Sequence, residues 1–174
     1  MKKAIMFAIM ICVARSAVDL DVASQRKKRS QPAGRVTEGF QVSALANNEL
    51  VVSGEPASLR VRIKNVTNNV LYLAEVGVEK DYEIRISRDV SGTIPLTEHG
   101  RVLRNTKGDF YSNVGLSINP GQEREDVLEV SNIYDMKVPG NYWIIVERKV
   151  AKLGAKGVAL AESNTVHIKV TKRP

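Results

Sequence analysis

Cysteine is nearly absent from this chain of 174 residues. Its one cysteine, Cys12, lies in an N-terminal segment that we expect to be removed. The mature protein would then have no thiol, which excludes disulfide bonds, cysteine nucleophiles and cysteine-ligated metals. The domain must therefore be stabilised by its hydrophobic core, and the chain from Phe40 onward is long enough for one core but short for two.

Histidine is also scarce, because the chain contains only His99 and His167. A hydrolytic triad needs a nucleophile, a base and an orienting acid in mutual contact, and a metal site usually needs three or four ligands. Neither histidine lies in a recognisable motif of either kind. We expect both to be structural or solvent-exposed, and we predict no catalytic residue and no cofactor.

The chain has one acidic run, which consists of Glu123, Glu125, Asp126 and Glu129. It lacks the alternating aspartates, the glycine and the distant glutamate of a calcium-binding loop. The alternation of charged and other residues favours a solvated strand instead. We therefore predict no metal site, and we predict that the protein is not an enzyme.

The chain has no apolar run long enough to cross a membrane. Lys2 and Lys3 precede an apolar stretch from Ala4 to Val13, which is too short for a membrane span. Small residues follow, which is the layout of a secretory signal peptide. We place the signal at residues 1–16, with cleavage after Ser16, and expect a secreted or periplasmic protein with no membrane span after cleavage.

The formal net charge is +7, but much of it lies outside the expected domain. Four consecutive basic residues, from Arg26 to Arg29, lie in a polar segment without apolar periodicity. We predict that residues 17–37 form a disordered basic linker, although proteolytic processing or contact with an anionic cell-surface polymer are alternatives. The remaining charge is close to balanced, so we expect no nucleic acid partner.

Between residues 38 and 172, several segments alternate between apolar and polar residues with a period of two. Examples are Leu59 to Ile63, Tyr82 to Ile86 and Val166 to Val170, and this pattern is typical of half-buried strands. Turn-forming residues separate these segments, and no segment has helical spacing for more than about two turns. The pattern predicts an all-β protein, an immunoglobulin-like antiparallel β-sandwich of about 7–9 strands.

The segment from Val138 to Val150 contains apolar residues on both faces of one strand. Tyr142 follows a Pro-Gly turn and matches the tyrosine corner of immunoglobulin-like sandwiches. If Tyr142 points inward, then Trp143 and Ile145 point outward. There are two explanations for these outward apolar residues. In the first, the segment before Leu59 or the loop from Thr97 to Ser112 covers them. In the second, they form a surface that binds a partner.

The predicted long loop from Thr97 to Ser112 is basic and carries aromatic residues. Such a loop can contact an anionic glycan or nucleic acid, or its apolar residues can close the edge of the core. Our candidate interaction surface therefore consists of Trp143 and Ile145 together with five residues of this loop. The loop residues are Arg101, Arg104, Lys107, Phe110 and Tyr111.

Several segments carry a resemblance to a known group of proteins. They are RIKNVTNNVLYL, DYEIRISRDVSGTIPLTEHGRVLR, INPGQEREDVLEVSNIYDMKVPGNYWIIVERKV and SNTVHIKV. The most specific parts are the PLT-x-x-G-R turn, the YDM strand end, and PG-x-Y followed by SN-x-V. Between Leu59 and Val170 the chain resembles uncharacterised small secreted immunoglobulin-like proteins of environmental bacteria, such as planctomycetes and acidobacteria. The resemblance implies the fold and export, and it implies no activity.

These observations predict an exported, non-catalytic binding or structural module whose partner is another exported or cell-surface protein. The alternative is an inhibitor of secreted proteases. In that case the loops near Gly54, near Gly92 and from Asn119 to Gly121 would enter an active-site cleft.

Overall fold

The computed structural model describes residues 33–89, 92–105, 115–151 and 156–174. Within these residues the chain forms eleven strands and three short helices. The strands are β1 (Val36–Thr37), β2 (Phe40–Ala46), β3 (Leu50–Val52), β4 (Ser58–Asn65), β5 (Leu71–Ala74), β6 (Tyr82–Arg88), β7 (Gly115–Ile118), β8 (Glu123–Glu129), β9 (Gly140–Ala151), β10 (Val158–Glu162) and β11 (Val166–Thr171). The helices are α1 (Val78–Asp81), α2 (Glu98–Asn105) and α3 (Val130–Ile133).

Two main sheets form the sandwich. The first sheet has the strand order β1-β2-β4-β8. In the second sheet the order is β10-β9-β11-β3, and β6 also pairs with β9. A separate two-stranded sheet joins β5 and β7. The predicted immunoglobulin-like β-sandwich is confirmed, and the strand count exceeds nine because short segments such as β1 and β3 form strands of their own.

One pair of strands departs from the antiparallel prediction. Strand β3 pairs with β11 in parallel, with Val51 opposite Val170. The preceding strand β2 pairs with β4 in the first sheet, so the chain passes from one sheet to the other between Ala46 and Leu50. This crossing brings β3 to the edge of the second sheet in the same direction as the last strand.

The core lies between the inner faces of the two main sheets. The predicted alternation is confirmed at Leu59, Val61 and Ile63, which are buried while Arg60, Arg62 and Lys64 are more exposed. The largest fully buried side chains are Tyr142, Phe40, Leu59, Ile63, Ile118, Leu128, Ile144, Ile168, Val42, Val61, Val130 and Val146. Removal of this apolar surface from water is the main term that stabilises the fold.

Helix α2 corrects the prediction of a loop from Thr97 to Ser112. The Thr97 hydroxyl accepts a hydrogen bond from the Gly100 N–H at 2.9 Å, which caps the first turn. Gly100 permits close packing on α3, because a Cβ at this position would lie 2.1 Å from the Ile133 carbonyl oxygen. A threonine cap and this close contact therefore outweigh the low helix propensity of glycine.

The domain begins slightly earlier than predicted. Val36 and Thr37, which we assigned to the linker, form β1 and pair with Gln41 and Phe40. The signal peptide and residues 17–32 of the linker lie outside the described residues. Within the described part of the chain, no helix is long and apolar enough to cross a membrane.

Candidate functional site

Trp143 lies on the outer face of the second sheet, as the alternation of β9 predicted. Its side chain is 39% exposed, whereas Tyr142 and Ile144 on either side are fully buried. On the neighbouring strands, Trp143 is opposite Ser87 of β6 and His167 of β11. The indole is therefore central in this face rather than at its rim.

A chain of polar contacts fixes His167 beside the indole. The two rings lie 5.7 Å apart at an angle of 45°. The Asn141 side chain donates to Asp89 Oδ2 at 2.6 Å, and its Oδ1 lies 3.0 Å from His167 Nε2. Because a carboxylate only accepts, the Asn141 oxygen faces the ring, and His167 Nε2 carries the hydrogen. In the neutral ring, Nδ1 is then the acceptor.

Tyr142 makes the contact expected of a tyrosine corner. Its hydroxyl donates to the Val138 carbonyl oxygen at 2.6 Å and accepts from Arg88 Nη1 at 3.3 Å. These bonds fix the start of β9, because they join the strand to the turn before it and to the end of β6. The orientation of Trp143, the next residue, follows from this anchor.

Ile145 is only half-buried, and an ionic cluster adjoins it on the outer face. Arg85, which is opposite Ile145, lies 2.6 Å from Glu147 Oε1 and 2.9 Å from Glu162 Oε1. Burial raises the pKa of Glu147. The positive charge of Arg85 lowers this pKa, and the nearby Glu162 raises it further. Lys149 and Glu83 form a further ion pair of 2.7 Å on the same two strands.

The described chain does not cover Trp143 in the way that one alternative required. The segment before Leu59 contains β3, which extends the sheet beside β11 instead of folding over its face. Leu50 of β3 is 62% exposed. Residues 98–105 form α2, which borders β6 rather than the centre of the sheet. Within the described residues, the indole therefore stays accessible.

The predicted surface is divided in two by β6. Arg101 pairs with Glu98 on the exposed side of α2. Arg104 lies over the Tyr134 ring, 5.5 Å from its centre, and its Nη2 donates to the Tyr134 hydroxyl. Both arginines thus lie beyond the outer edge of β6, while Trp143 and Ile145 lie on β9. Lys107, Phe110 and Tyr111 lie outside the described residues.

Two clefts that no sequence pattern predicts lie along the outer edge of β6. Their volumes are about 800 Å³ and about 780 Å³, and both are lined by Ile84, Arg104 and Tyr134. The Tyr134 hydroxyl donates to the Ile84 carbonyl oxygen at 2.9 Å and lies between the two clefts. Burial raises the pKa of Tyr134, and the adjacent Arg104 opposes this change.

A second feature that the sequence analysis missed is a buried arginine. Arg148 points into the sandwich and is only 4% exposed. Its Nη1 lies 2.9 Å from Asp81 Oδ2, its Nη2 donates to the Ala74 carbonyl oxygen at 2.7 Å, and its guanidinium lies 4.9 Å from the Tyr82 ring centre. Burial lowers the pKa of Arg148 to about 10, and the charge of Glu75 partly offsets this.

The signal for this arginine was present in the sequence. Counting by two from Tyr142 along β9 places Arg148 on the inner face, where an unpaired charge is costly. Such a residue predicts a buried acidic partner.

Further polar contacts extend from Tyr82. Its hydroxyl donates to Asp126 Oδ2 at 2.8 Å, and burial raises its pKa. Arg124 lies 3.1 Å from Asp126 Oδ1 and 2.5 Å from Glu75 Oε1. The hydrogen bond from Arg124 lowers the pKa of Glu75. These contacts join β8 to the segment between β5 and β6.

The two histidines lie in separate environments. His99 Nε2 lies 2.6 Å from Glu79 Oε2 at the surface, while the partner of His167 is Asn141. Neither has a serine or threonine hydroxyl as a hydrogen-bond partner within the described residues. The described chain also contains no group of three or more histidine, cysteine or acidic residues that could hold a metal ion. In the acidic run, Glu125 pairs with Arg62 at 2.5 Å on the outer face of the first sheet.

Two of the three loops of the inhibitor alternative, the turn at Gly54 and the turn from Asn119 to Gly121, lie at opposite ends of the sandwich. The turn at Gly54 precedes Ser58 at the start of β4, and the Ser53 hydroxyl contacts the Lys137 carbonyl oxygen. The turn from Asn119 to Gly121 bonds to Asn65 at the other end of the same strand. These two turns cannot enter one active-site cleft together.

Solved structures that are similar to this chain share little sequence with it. No protein-family model matches the chain, and no curated protein matches it. The CARDB domain of a Pyrococcus furiosus protein, solved in complex with di-metal ions, is 14% identical, with coverage of 80% of this chain and 100% of that chain and a TM-score of 0.39. The solution structure of the same domain is 15% identical, covers 77% of this chain and 97% of that chain, and has a TM-score of 0.34.

A third similar structure is native alpha-2-macroglobulin from Escherichia coli, from domain MG7 to the C-terminus. It is 16% identical, with coverage of 82% of this chain and 17% of that chain and a TM-score of 0.42. The chain thus spans about a sixth of that structure. The resemblance to secreted proteins of environmental bacteria stays a prediction.

Proposed function

We propose that the protein is an exported, non-catalytic binding module that contacts another exported or cell-surface protein through the outer face of its second sheet. The observation that supports this proposal most directly is the exposure of Trp143 at the centre of that face. Tryptophan is among the residues most enriched at binding hot spots. An indole at the centre of a sheet face offers a partner a large apolar area together with one hydrogen-bond donor.

The surroundings of Trp143 suit protein recognition. Leu50 on the same face is more than half exposed and adds apolar area. The polar groups of His167 and Asn141 have their orientation fixed by Asp89. A rigid aromatic side chain flanked by fixed polar groups loses little conformational entropy on binding. We expect this rigidity to contribute to affinity.

Export is the second part of the proposal and has its own test. Expression of the full chain in its source cell, followed by N-terminal sequencing of the protein outside the cytoplasm, should give a mature chain that begins after residue 16. Recovery of the intact chain from the cytoplasm would contradict export.

The binding test compares two single substitutions of exposed aromatic residues. Immobilised protein is incubated with the exported and cell-surface proteins of the source cell, and retained proteins are identified by mass spectrometry. We expect Trp143→Ser to lose a specific partner that the wild type retains. Tyr72→Ser is the matched control, because Tyr72 is 67% exposed on the separate β5–β7 sheet. Equal retention by all three proteins would contradict a role for the Trp143 face.

A further inference from the structure

The outer edge of strand β6 has no backbone partner around Ile86 within the described chain. The strand pairs with β9 along its whole length and with no other described strand. In an antiparallel pair, alternate residues direct both backbone groups away from the partner strand. The Ile84 carbonyl oxygen bonds to Tyr134 and so points away from β9. The N–H and C=O of Ile86, two residues later, must also point outward, and no described group bonds to them.

The cleft beside this edge is positively charged. Among the described residues that line the cleft of about 780 Å³, there are four arginines and no carboxylate. They are Arg85, Arg88, Arg101 and Arg104.

Two of these arginines lack a carboxylate partner. Arg88 donates to the neutral Tyr142 hydroxyl, and Arg104 donates to the neutral Tyr134 hydroxyl. Neither has a carboxylate in ion-pair contact among the described residues, unlike Arg85 and Arg101. The ion pair of Arg101 is exposed, and such pairs contribute little. The cleft therefore combines unpaired backbone groups with uncompensated positive charge.

The rest of the lining is apolar in places where a strand would contact it. Ile84 and Ile86 of β6, together with Ile94 and Leu96 of the segment that leads to α2, line the cleft. Side chains on neighbouring strands contact each other when they lie on the same face. An added strand would thus place alternate residues beside these apolar groups.

We propose that this cleft binds an acidic peptide segment in extended conformation, which adds as a strand along the free edge of β6. Backbone hydrogen bonds to Ile86 give the segment its register, and its carboxylates pair with the arginines. Residues that alternate between acidic and branched apolar types fit best, because successive side chains of a strand point to opposite faces. This site is distinct from the Trp143 face, which lies one strand away, and its test does not depend on that proposal.

The probe is an eight-residue peptide in which glutamate and valine alternate, with both termini blocked. We expect saturable binding by calorimetry that weakens as salt concentration rises. In a nitrogen–proton correlation spectrum, the Ile86 amide should shift on binding. The peptide with lysine in place of glutamate should bind at least tenfold more weakly, since it would repel the arginines.

A backbone-methylated peptide tests strand addition separately from charge. Methylation of alternate amide nitrogens keeps every carboxylate and removes hydrogen bonds to the strand edge. We expect it to bind at least tenfold more weakly than the parent peptide. Equal binding of the methylated peptide, or of free glutamate at the same site, would overturn the proposal in favour of a simple anion site.

Single substitutions locate the site on the protein. Arg101→Gln and Arg104→Gln should each weaken peptide binding about twofold to fivefold. Arg62→Gln is the matched control, because it removes one arginine charge from the outer face of the first sheet. Trp143→Ser should leave the peptide affinity unchanged. Equal affinities for all the arginine variants and the wild type, or no binding of the parent peptide at millimolar concentration, would refute the proposal.

Discussion

Replacement of Arg148 is the sharpest test of what holds this sandwich together. Arg148 is inward-pointing, almost fully buried and paired with Asp81, whose side chain is only 8% exposed. The contact is an ion pair without the alignment of a hydrogen bond at Nη1. Arg148→Met keeps most of the side-chain volume and removes the charge, so that the buried Asp81 carboxylate loses its cation.

The expected cost follows from this burial. Removal of one member of a buried ion pair typically lowers the free energy of unfolding by about 3–5 kcal/mol. Asp81 keeps two backbone hydrogen bonds, from the N–H groups of Val76 and Gly77, which favours the lower end of that range. The Ala74 carbonyl oxygen also loses its donor, which adds a cost of about 1 kcal/mol. We therefore expect a loss of about 3–4 kcal/mol.

Urea denaturation of the wild type and three variants measures this loss and its origin. Asp81→Asn alone should also destabilise the protein, because it removes the carboxylate charge that pairs with Arg148. The double variant should cost clearly less than the sum of the two single changes. Arg62→Met is the control, since its exposed ion pair with Glu125 should contribute at most about 1 kcal/mol. A loss below about 1 kcal/mol for Arg148→Met, or strict additivity with Asp81→Asn, would show that the two buried charges do not stabilise each other.

Three further predictions use the same denaturation assay. Gly100→Ala should lower the free energy of unfolding by about 1–3 kcal/mol, although alanine favours helices, because the new Cβ would lie 2.1 Å from the Ile133 carbonyl oxygen; a gain in stability would contradict this close packing. Asn164→Ala should lower the free energy of unfolding by about 1–3 kcal/mol, because the Asn164 side chain bonds to both the N–H and the carbonyl oxygen of Ala44 at 3.0 Å. An unchanged urea midpoint would contradict a role for this bridge between the two sheets. Burial raises the pKa of Glu147 in the folded state, so the contribution of this group to the free energy of unfolding falls as pH rises above the ordinary glutamate pKa of about 4. Glu147→Gln should remove this contribution, and parallel pH curves for the wild type and the variant would contradict the prediction.

Local alternation was sufficient to predict the longer strands β4, β6, β9 and β11 and the orientation of their side chains. Counting by two along β9 correctly placed Tyr142 inward and Trp143 outward, because side-chain direction in a strand depends only on position. The turn before the strand was predicted from its Pro-Gly pair, and the tyrosine corner from the position of Tyr142 after that turn. The same counting places Arg148 inward, but it does not reveal Asp81 as the partner, since that contact depends on how distant segments meet.

The features that the sequence analysis missed depend on tertiary structure. Strand β3 has only three residues, too few to show alternation, and its parallel pairing is stabilised by the neighbouring strand β11. Helix α2 is eight residues long with Gly100 in its first turn, so propensity did not favour it. The free edge of β6 follows from the order of strands in the sheet, which alternation does not specify.

The most direct test of the account is the accessibility of Trp143, the only tryptophan in the chain. Its fluorescence emission and its quenching by acrylamide are measured in the purified protein over a range of dilutions. An open outer face predicts emission and quenching between those of a buried and a fully solvated indole, with no loss of accessibility on dilution. A blue-shifted emission that resists quenching at every concentration would show that the chain covers this face itself, and would contradict its role as the binding surface.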